Sequence, residues 1–252
     1  MDILLSPTTI AWLLFAAFAA GFLDALAGGG GLITLPALLA AGLPPVNALA
    51  TNKLQAVFGV ATSSATVLRQ KTISLDDVRS LVVFSFLGSA AGAWVIQRID
   101  TSVLNAVLPV ALGSIAIYFL FVRNAGRTTT EARISYRLYQ RGLVPLIGFY
   151  DGAIGPGTGS LFATAGVSLR GLDLVKATAR AKPLNFASNL AALLLFLAGG
   201  AVIWQAGLVM IGGQALGSYL GTHTMLRGGS RLIRPMIVLA ATAMLAKYFG
   251  LL

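Results

Sequence analysis

Ten apolar runs, broken mainly by glycine, proline and short basic stretches, leave this chain no route to a water-exposed fold. They cover residues 8–27, 29–42, 46–68, 78–97 and 103–122, then 142–154, 157–170, 174–198, 205–223 and 235–252. A helix crossing a bilayer needs about 20 predominantly apolar residues, and many of these runs approach that length. Only 10% of the 252 residues are charged and 57% are hydrophobic, whereas a soluble domain carries about a quarter charged residues. The expected class is an all-α polytopic membrane protein. With the runs following one another so closely, residues 1–252 are expected to form one transmembrane domain with no separate soluble part. Ala25-Leu26-Ala27 has the form of a signal-peptidase site, but no Lys or Arg precedes it and Asp24 lies beside it, so no cleavage is expected.

The runs form two sets of five, and the second set is a version of the first. GFLDALAGGGG at 21–31 matches GFYDGAIGPGT at 148–158, which pairs Asp24 with Asp151, Gly28 with Gly155 and Gly30 with Gly157 at an offset of 127. Lys53 pairs with Lys182 at an offset of 129, as does LGSAAGA at 87–93 with LGSYLGT at 216–222. Pro109 and Pro235 extend the series. Repeat 1 therefore covers about 8–122 and repeat 2 about 142–252, joined by the polar arm RNAGRTTTEARISYRLYQR at 123–141. Weak internal symmetry of this kind is typical of transporter folds.

Charge placement bears on the orientation of the halves. The net charge of +10, from 18 Lys and Arg against 8 Asp and Glu, would suggest nucleic acid on a soluble protein. Here the basic residues cluster between apolar runs, and no nucleic-acid partner is expected. If each half makes an odd number of crossings, 69–79, 123–141, 170–176 and 224–234 share one side with 3, 5, 2 and 3 basic residues, and the other side keeps only Arg98 and Lys247. That bias matches the positive-inside rule and predicts inverted repeats, with 123–141 as a cytoplasmic loop whose arginines suit anionic lipid headgroups. An odd count arises from five crossings per half, or from three crossings plus a re-entrant hairpin. The 13- and 14-residue runs beside the Gly clusters are too short to cross easily and favour the hairpin, giving about four helical segments per half. Backbone at a hairpin tip is tolerated at membrane depth only inside protein or a watery cavity. Two such hairpins would bring Gly28, Gly29, Gly30 and Gly31 together with Gly155, Gly157, Thr158 and Gly159.

The tips and the helices after them carry the candidate site. A short helix starting after each Gly cluster would present free backbone N–H groups and a partial positive charge, which suits an anion. Lys53 and Lys182, with Arg180 beside the second, lie early in long apolar runs, where an unpaired basic side chain costs about 3 kcal/mol. Asn52, Gln55, Gly59, Thr62 and Thr66 recur at helical spacing, as do Thr178, Lys182, Asn185 and Asn189, so that each helix has a polar face. The bland alternative pairs Asp24 with Lys53 and Asp151 with Lys182 as structural salt bridges; a further one makes Asp24 and Asp151 proton or cation ligands. Gly88, Gly92, Gly217 and Gly221 form small-xxx-small patterns for close helix packing. There is no cysteine and one histidine, His223, which leaves no disulfide, thiol or His-rich metal chemistry, and neither a cofactor nor a metal is expected. No nucleophile cluster marks an enzyme.

At these residues the sequence resembles the sulfite exporter TauE/SafE family, also called TSUP permeases, in its YfcA-like branch. The resemblance rests on GFLDALAGGGGLITLPALLAAGLPPVNALATNKL at 21–54, GFYDGAIGPGTGS at 148–160 and ARAKPLNFASN at 179–189. It implies a multi-pass permease of the bacterial inner membrane that moves sulfite, sulfoacetate or related small anions, usually outward. By position it carries over the hairpin glycines with Thr51, Asn52 and Lys53, and Gly155, Gly157, Thr158 and Gly159 with Lys182. The expected partners are a small anionic substrate and the lipid bilayer, with a proton- or cation-coupled carrier using Asp24 and Asp151 as the alternative.

Overall fold

The computed structural model describes residues 6–100 and 131–228. The expected segments 103–122 and 235–252, the Pro109–Pro235 correspondence and residues 123–130 of the polar arm lie outside the described residues. Those described are all-helical, without a strand. In chain order the helices are α1 (Pro7–Ala27), α2 (Gly31–Ala40), α3 (Pro45–Arg69), α4 (Arg79–Ile96), α5 (Tyr136–Leu138), α6 (Val144–Ala153), α7 (Thr158–Arg170), α8 (Leu174–Ala198) and α9 (Trp204–Gly228). A π-helical turn, Tyr139–Leu143, joins α5 to α6.

Local chemistry sets most of these limits. α1 starts where the Ser6 side chain accepts from Thr9 N–H, with Pro7 at the first helical position, and stops at Gly28 in the left-handed conformation. The Asp173 side chain accepts from Lys176 N–H and starts α8. Two helices run longer than the apolar pattern predicts. α5 begins inside the arm expected to be a loop, because Ser135 caps it and Tyr139 is buried. Pro145 has no N–H to offer the Arg141 carbonyl, and the ladder widens just before it, Val144 N–H reaching back to Tyr139 O. α9 continues past residue 223 to Gly228.

Among the described residues, Pro7–Ala27, Arg79–Ile96 and Leu174–Ala198 are long and apolar enough to cross a membrane by length and composition. Polarity is distributed inside out. Trp12, Phe15, Trp94, Leu146 and Leu208 are exposed, while Asp24, Lys53, Asp151, Lys182, Gln55 and Gln214 are buried. Water would not tolerate the first set so well as lipid, and the second set must find partners within the protein.

Packing comes in exchanged pairs. α1 lies along α9, and α4 lies along α6, so the first helix of each repeat packs on the last described helix of the other. Gly217 sits against the Phe18 carbonyl and Gly88 against the Pro145 carbonyl, which are corresponding contacts in the two pairs; Gly221 on Phe22 and Gly92 on Phe149 follow one turn later. The small-xxx-small patterns are thus close helix contacts. α2 and α7, at about 1.5 Å per residue, are only about 15–20 Å long. One apolar cluster holds α2 (Leu35, Leu38) with Leu49, Phe196 and Met210, and another holds α7 (Phe162, Val167) with Val67, Leu81 and Met225. The first gathers the start of α3 and the end of α8; the second gathers the end of α3 and the start of α8. The short helices therefore lie toward opposite ends of the bundle, with a polar layer between the clusters.

Candidate functional site

The polar layer forms where the two Gly clusters touch. Gly28 has φ +76°, and a Cβ on it would collide with the backbone of Gly159 and Ser160. Ser160 N–H donates to the Gly28 carbonyl at 3.4 Å and its hydroxyl donates to the Ala27 carbonyl. Gly31 packs on Pro156. No side chain could intervene at Gly28 without separating the repeats.

Around Asp151 the layer is fully connected. Lys53 Nζ donates to Asp151 Oδ1 at 2.8 Å, with both side chains 1% exposed. The Thr158 hydroxyl is 2.8 Å from the same oxygen and 2.6 Å from the Gly155 carbonyl, so its one proton serves either. Asn189 Nδ2 donates to Oδ2 at 3.1 Å and lies 2.9 Å from Asn185 Oδ1. Gly155, at φ +99°, allows the approach of Lys53, since a Cβ there would be 2.7 Å from Nζ.

Around Asp24 the corresponding residues make fewer bonds. Oδ1 accepts from Gly30 N–H at 3.1 Å, which places the carboxylate at the start of α2, and Oδ2 has no partner. Lys182 Nζ donates to the Asp24 main-chain carbonyl rather than the carboxylate. Gly31 and Val60 occupy the positions that match Thr158 and Asn189.

These contacts correct the expected ion pairing. Asp24 does not pair with Lys53, nor Asp151 with Lys182; each lysine reaches across to the other repeat. The exchange follows from the tip contact, which brings each hairpin against the other half's third helix. Arg180 is drawn away from the layer, donating to Asp77 Oδ1 at 2.8 Å in the α3–α4 link. The Ser74 backbone N–H and hydroxyl, then the Arg180 guanidinium, hold the Asp77 carboxyl below the usual carboxylate range. Thr51, at the position matching Arg180, accepts from Ile203 N–H at 3.0 Å in the α8–α9 link.

A cavity of about 20 Å³, room for about one water-sized group, lies in the layer. Of the residues singled out in the sequence for the site, Asp24, Gly28, Gly31, Asn52, Lys53, Gln55, Gly155, Gly157, Thr158, Gly159, Asn185 and Asn189 line it; Gly29, Gly30, Thr51, Asp151, Arg180 and Lys182 do not. Asn52 Oδ1 accepts from Thr34 Oγ1 at 2.5 Å and from Gln55 Nε2 at 2.9 Å. The outer part of the α3 polar stripe is spent within its own helix, as Thr62 donates to Phe58 O and Thr66 to Thr62 O. Gln214, on α9, lines the cavity too, and sequence reasoning missed it: one glutamine in an apolar run has no periodicity to mark it.

Residues 13–248 match the sequence model of the family described as Sulfite exporter TauE/SafE. The chain belongs to this family. It is 46% identical over 238 residues to a probable membrane transporter protein of Haemophilus influenzae, covering 94% of this chain and 93% of that one. It is 45% identical over 247 residues to the probable membrane transporter protein YfcA of Escherichia coli K12, covering 97% and 91%. With the probable membrane transporter protein ORF9 of a Sinorhizobium species the identity is 43% over 235 residues, covering 93% and 90%. No solved structure matches it. This TauE/SafE protein is a membrane transporter, not an enzyme, and its apolar exterior and buried polar layer are the physical form of that assignment.

Proposed function

We propose that this protein is a permease of the bacterial inner membrane for small anions, sulfite or organosulfonates such as sulfoacetate, and that it exports them by alternating access. Residues 1–252 act as one transporter domain of two inverted repeats. The observation that carries this reading is the pair of lysines at matched positions, Lys53 and Lys182, only 1% and 0% exposed in the layer between the Gly tips. Charge at membrane depth is costly and marks substrate paths. Lys53 is the anion's main counter-charge, reached by loosening its bond to Asp151, with Lys182 behind it. Asn52, Asn185, Thr158 and the backbone of Gly28, Gly31, Gly155, Gly157 and Gly159 surround the bound anion. Thr51 and Arg180 hold the links at the two ends, and Gly29 and Gly30 shape the first tip. A cavity of about 20 Å³ is too small for a sulfonate, so binding requires the halves to part and then close, as rocking repeats do. The exchanged helix pairs and the opposed short helices support inverted repeats with re-entrant hairpins.

Two measurements test the reading. Sulfite or sulfoacetate should raise the melting temperature of the purified protein, since a ligand of the folded state stabilises it; the absence of any shift with both anions, in wild-type protein that unfolds cooperatively, would reject the substrate class. Lys71 and Gly200 occupy corresponding, exposed positions of the two repeats. Cysteine at Gly200 should react with a membrane-impermeant thiol reagent in intact cells and cysteine at Lys71 should not. Labelling of both from one side would make the repeats parallel.

A further inference from the structure

Three buried side-chain oxygens facing no donor belong to residues on the walls of the central cavity: Asp24 Oδ2, Gln55 Oε1 and Gln214 Oε1. Their residues, on α1, α3 and α9, are 6%, 1% and 1% exposed. Backbone gaps make the gathering possible. Gly21 admits the α9 main chain at Gln214 against α1, one turn before Asp24, and Gly59 makes room on α3 for the Gln214 side chain, where a Cβ would lie 2.6 Å from Cγ and 2.7 Å from Nε2. Gln55 is one turn before Gly59, and its amide is oriented by the Nε2 bond to Asn52, which leaves Oε1 as the atom without a donor.

Buried acceptors without donors are costly; one water in the cavity donates to two of the three at most, whereas a positive ligand satisfied by oxygen serves all three. A proton on Asp24 Oδ2 would serve that atom and one amide oxygen, leaving the other alone. A divalent ion prefers more carboxylate than one aspartate gives, and among the described residues no three His, Asp or Glu side chains gather to hold one. The charges point the same way. Asp24 and Asp151 balance Lys53 and Lys182, so a monoanion such as hydrogensulfite entering alone leaves the layer one charge negative, and one monovalent cation restores neutrality.

We propose that Asp24, Gln55 and Gln214 form a Na⁺ site occupied together with the transported anion. The inference rests on reading this cavity as the transport site, and it divides the two aspartates: Asp24 is a cation ligand, and Asp151, with a donor on each oxygen, is the resting partner of Lys53.

The test is thermal unfolding of the purified protein in NaCl or choline chloride at equal ionic strength and pH, with and without sulfite. Na⁺ should raise the melting temperature saturably, and the half-saturating sulfite concentration should fall at least threefold in Na⁺, because coupling between two ligands is reciprocal. Asp24→Asn and Gln214→Ala should each raise the half-saturating Na⁺ concentration at least tenfold; if Asp24→Asn does not fold, Gln55→Ala takes its place beside Gln214→Ala. Identical melting in the two salts overturns the site, as does wild-type Na⁺ dependence in Gln214→Ala. If sulfite stabilises the protein in choline while Na⁺ does nothing, only this inference falls. If Na⁺ stabilises and neither sulfite nor sulfoacetate does, the cation site stands and the anion reading falls.

Discussion

Asp24 and Asp151 hold matched positions in the two repeats, yet Asp151 has a donor on each oxygen and Asp24 on only one. The helices around them correspond, so the difference lies in side chains. Where the second repeat has Thr158 and Asn189, the first has Gly31 and Val60. Corresponding backbone thus carries different side chains: a closed network around Asp151 that joins the two halves, and an aspartate at position 24 with one oxygen left open.

The largest effect that could break this comparison comes from the lysines. Lys53→Ala leaves the Asp151 carboxylate buried without its cation and should cost about 3–5 kcal/mol of stability. Lys182→Ala removes a donor from a main-chain carbonyl and should cost less, about 1–3 kcal/mol. Chemical unfolding in detergent reads both, and equal losses would erase the asymmetry. Adding Asp151→Asn to Lys53→Ala should restore most of the stability without restoring transport, whereas adding Asp24→Asn should not.

A smaller effect sharpens the comparison. Val60→Asn places in the first repeat the amide that Asn189 gives the second. Donation to Asp24 Oδ2 should add about 1 kcal/mol of stability and slow transport in vesicles, because the open oxygen is then closed. Unchanged transport with raised stability would mean that this oxygen has no part in the cycle.

The smallest expected effect lies in the links. Arg180 and Asp77 hold the α3–α4 link by charge, and Thr51 holds the α8–α9 link by a neutral hydrogen bond. The folded Asp77 carboxyl titrates below its unfolded value, so its contribution is present above the ordinary carboxylate range, near 3.9, and is lost as pH falls through the lower folded value. Asp77→Asn should therefore lower stability slightly at neutral pH, by no more than about 1 kcal/mol for so exposed a pair, and the gap from wild type should close in acid. Thr51→Val should show a pH-independent loss. An acid-sensitive gap for Thr51→Val would contradict the assignment.

Much of this was legible in the sequence, and the rest was hidden for physical reasons. The matched Asp and Lys positions, the short runs after the Gly clusters and the polar faces of α3 and α8 are periodic or repeated, so one chain displays them. Pairing was not legible, because Asp24 with Lys53 and Asp24 with Lys182 are equally consistent with a duplicated sequence; only the tip contact chooses. Gln214 was hidden since it needs Gly21 and Gly59 on two other helices to become a wall of the cavity. Thr51 and Arg180 share a strip of sequence with the lysines, but each stands two residues before its lysine, about 200° around the helix axis, and so faces the links instead.

The bond from Ser160 to Gly28 joins two main chains, not two adaptable side chains. Side chains can change rotamer to let a solute pass, and a peptide unit held inside a tight turn cannot. The crossing of the two tips therefore behaves as a fulcrum, fixed while the arms on either side of it tilt. On the proposed reading, an anion leaving the layer is led around this point and not through it, and its route bends where a simple pore would run straight.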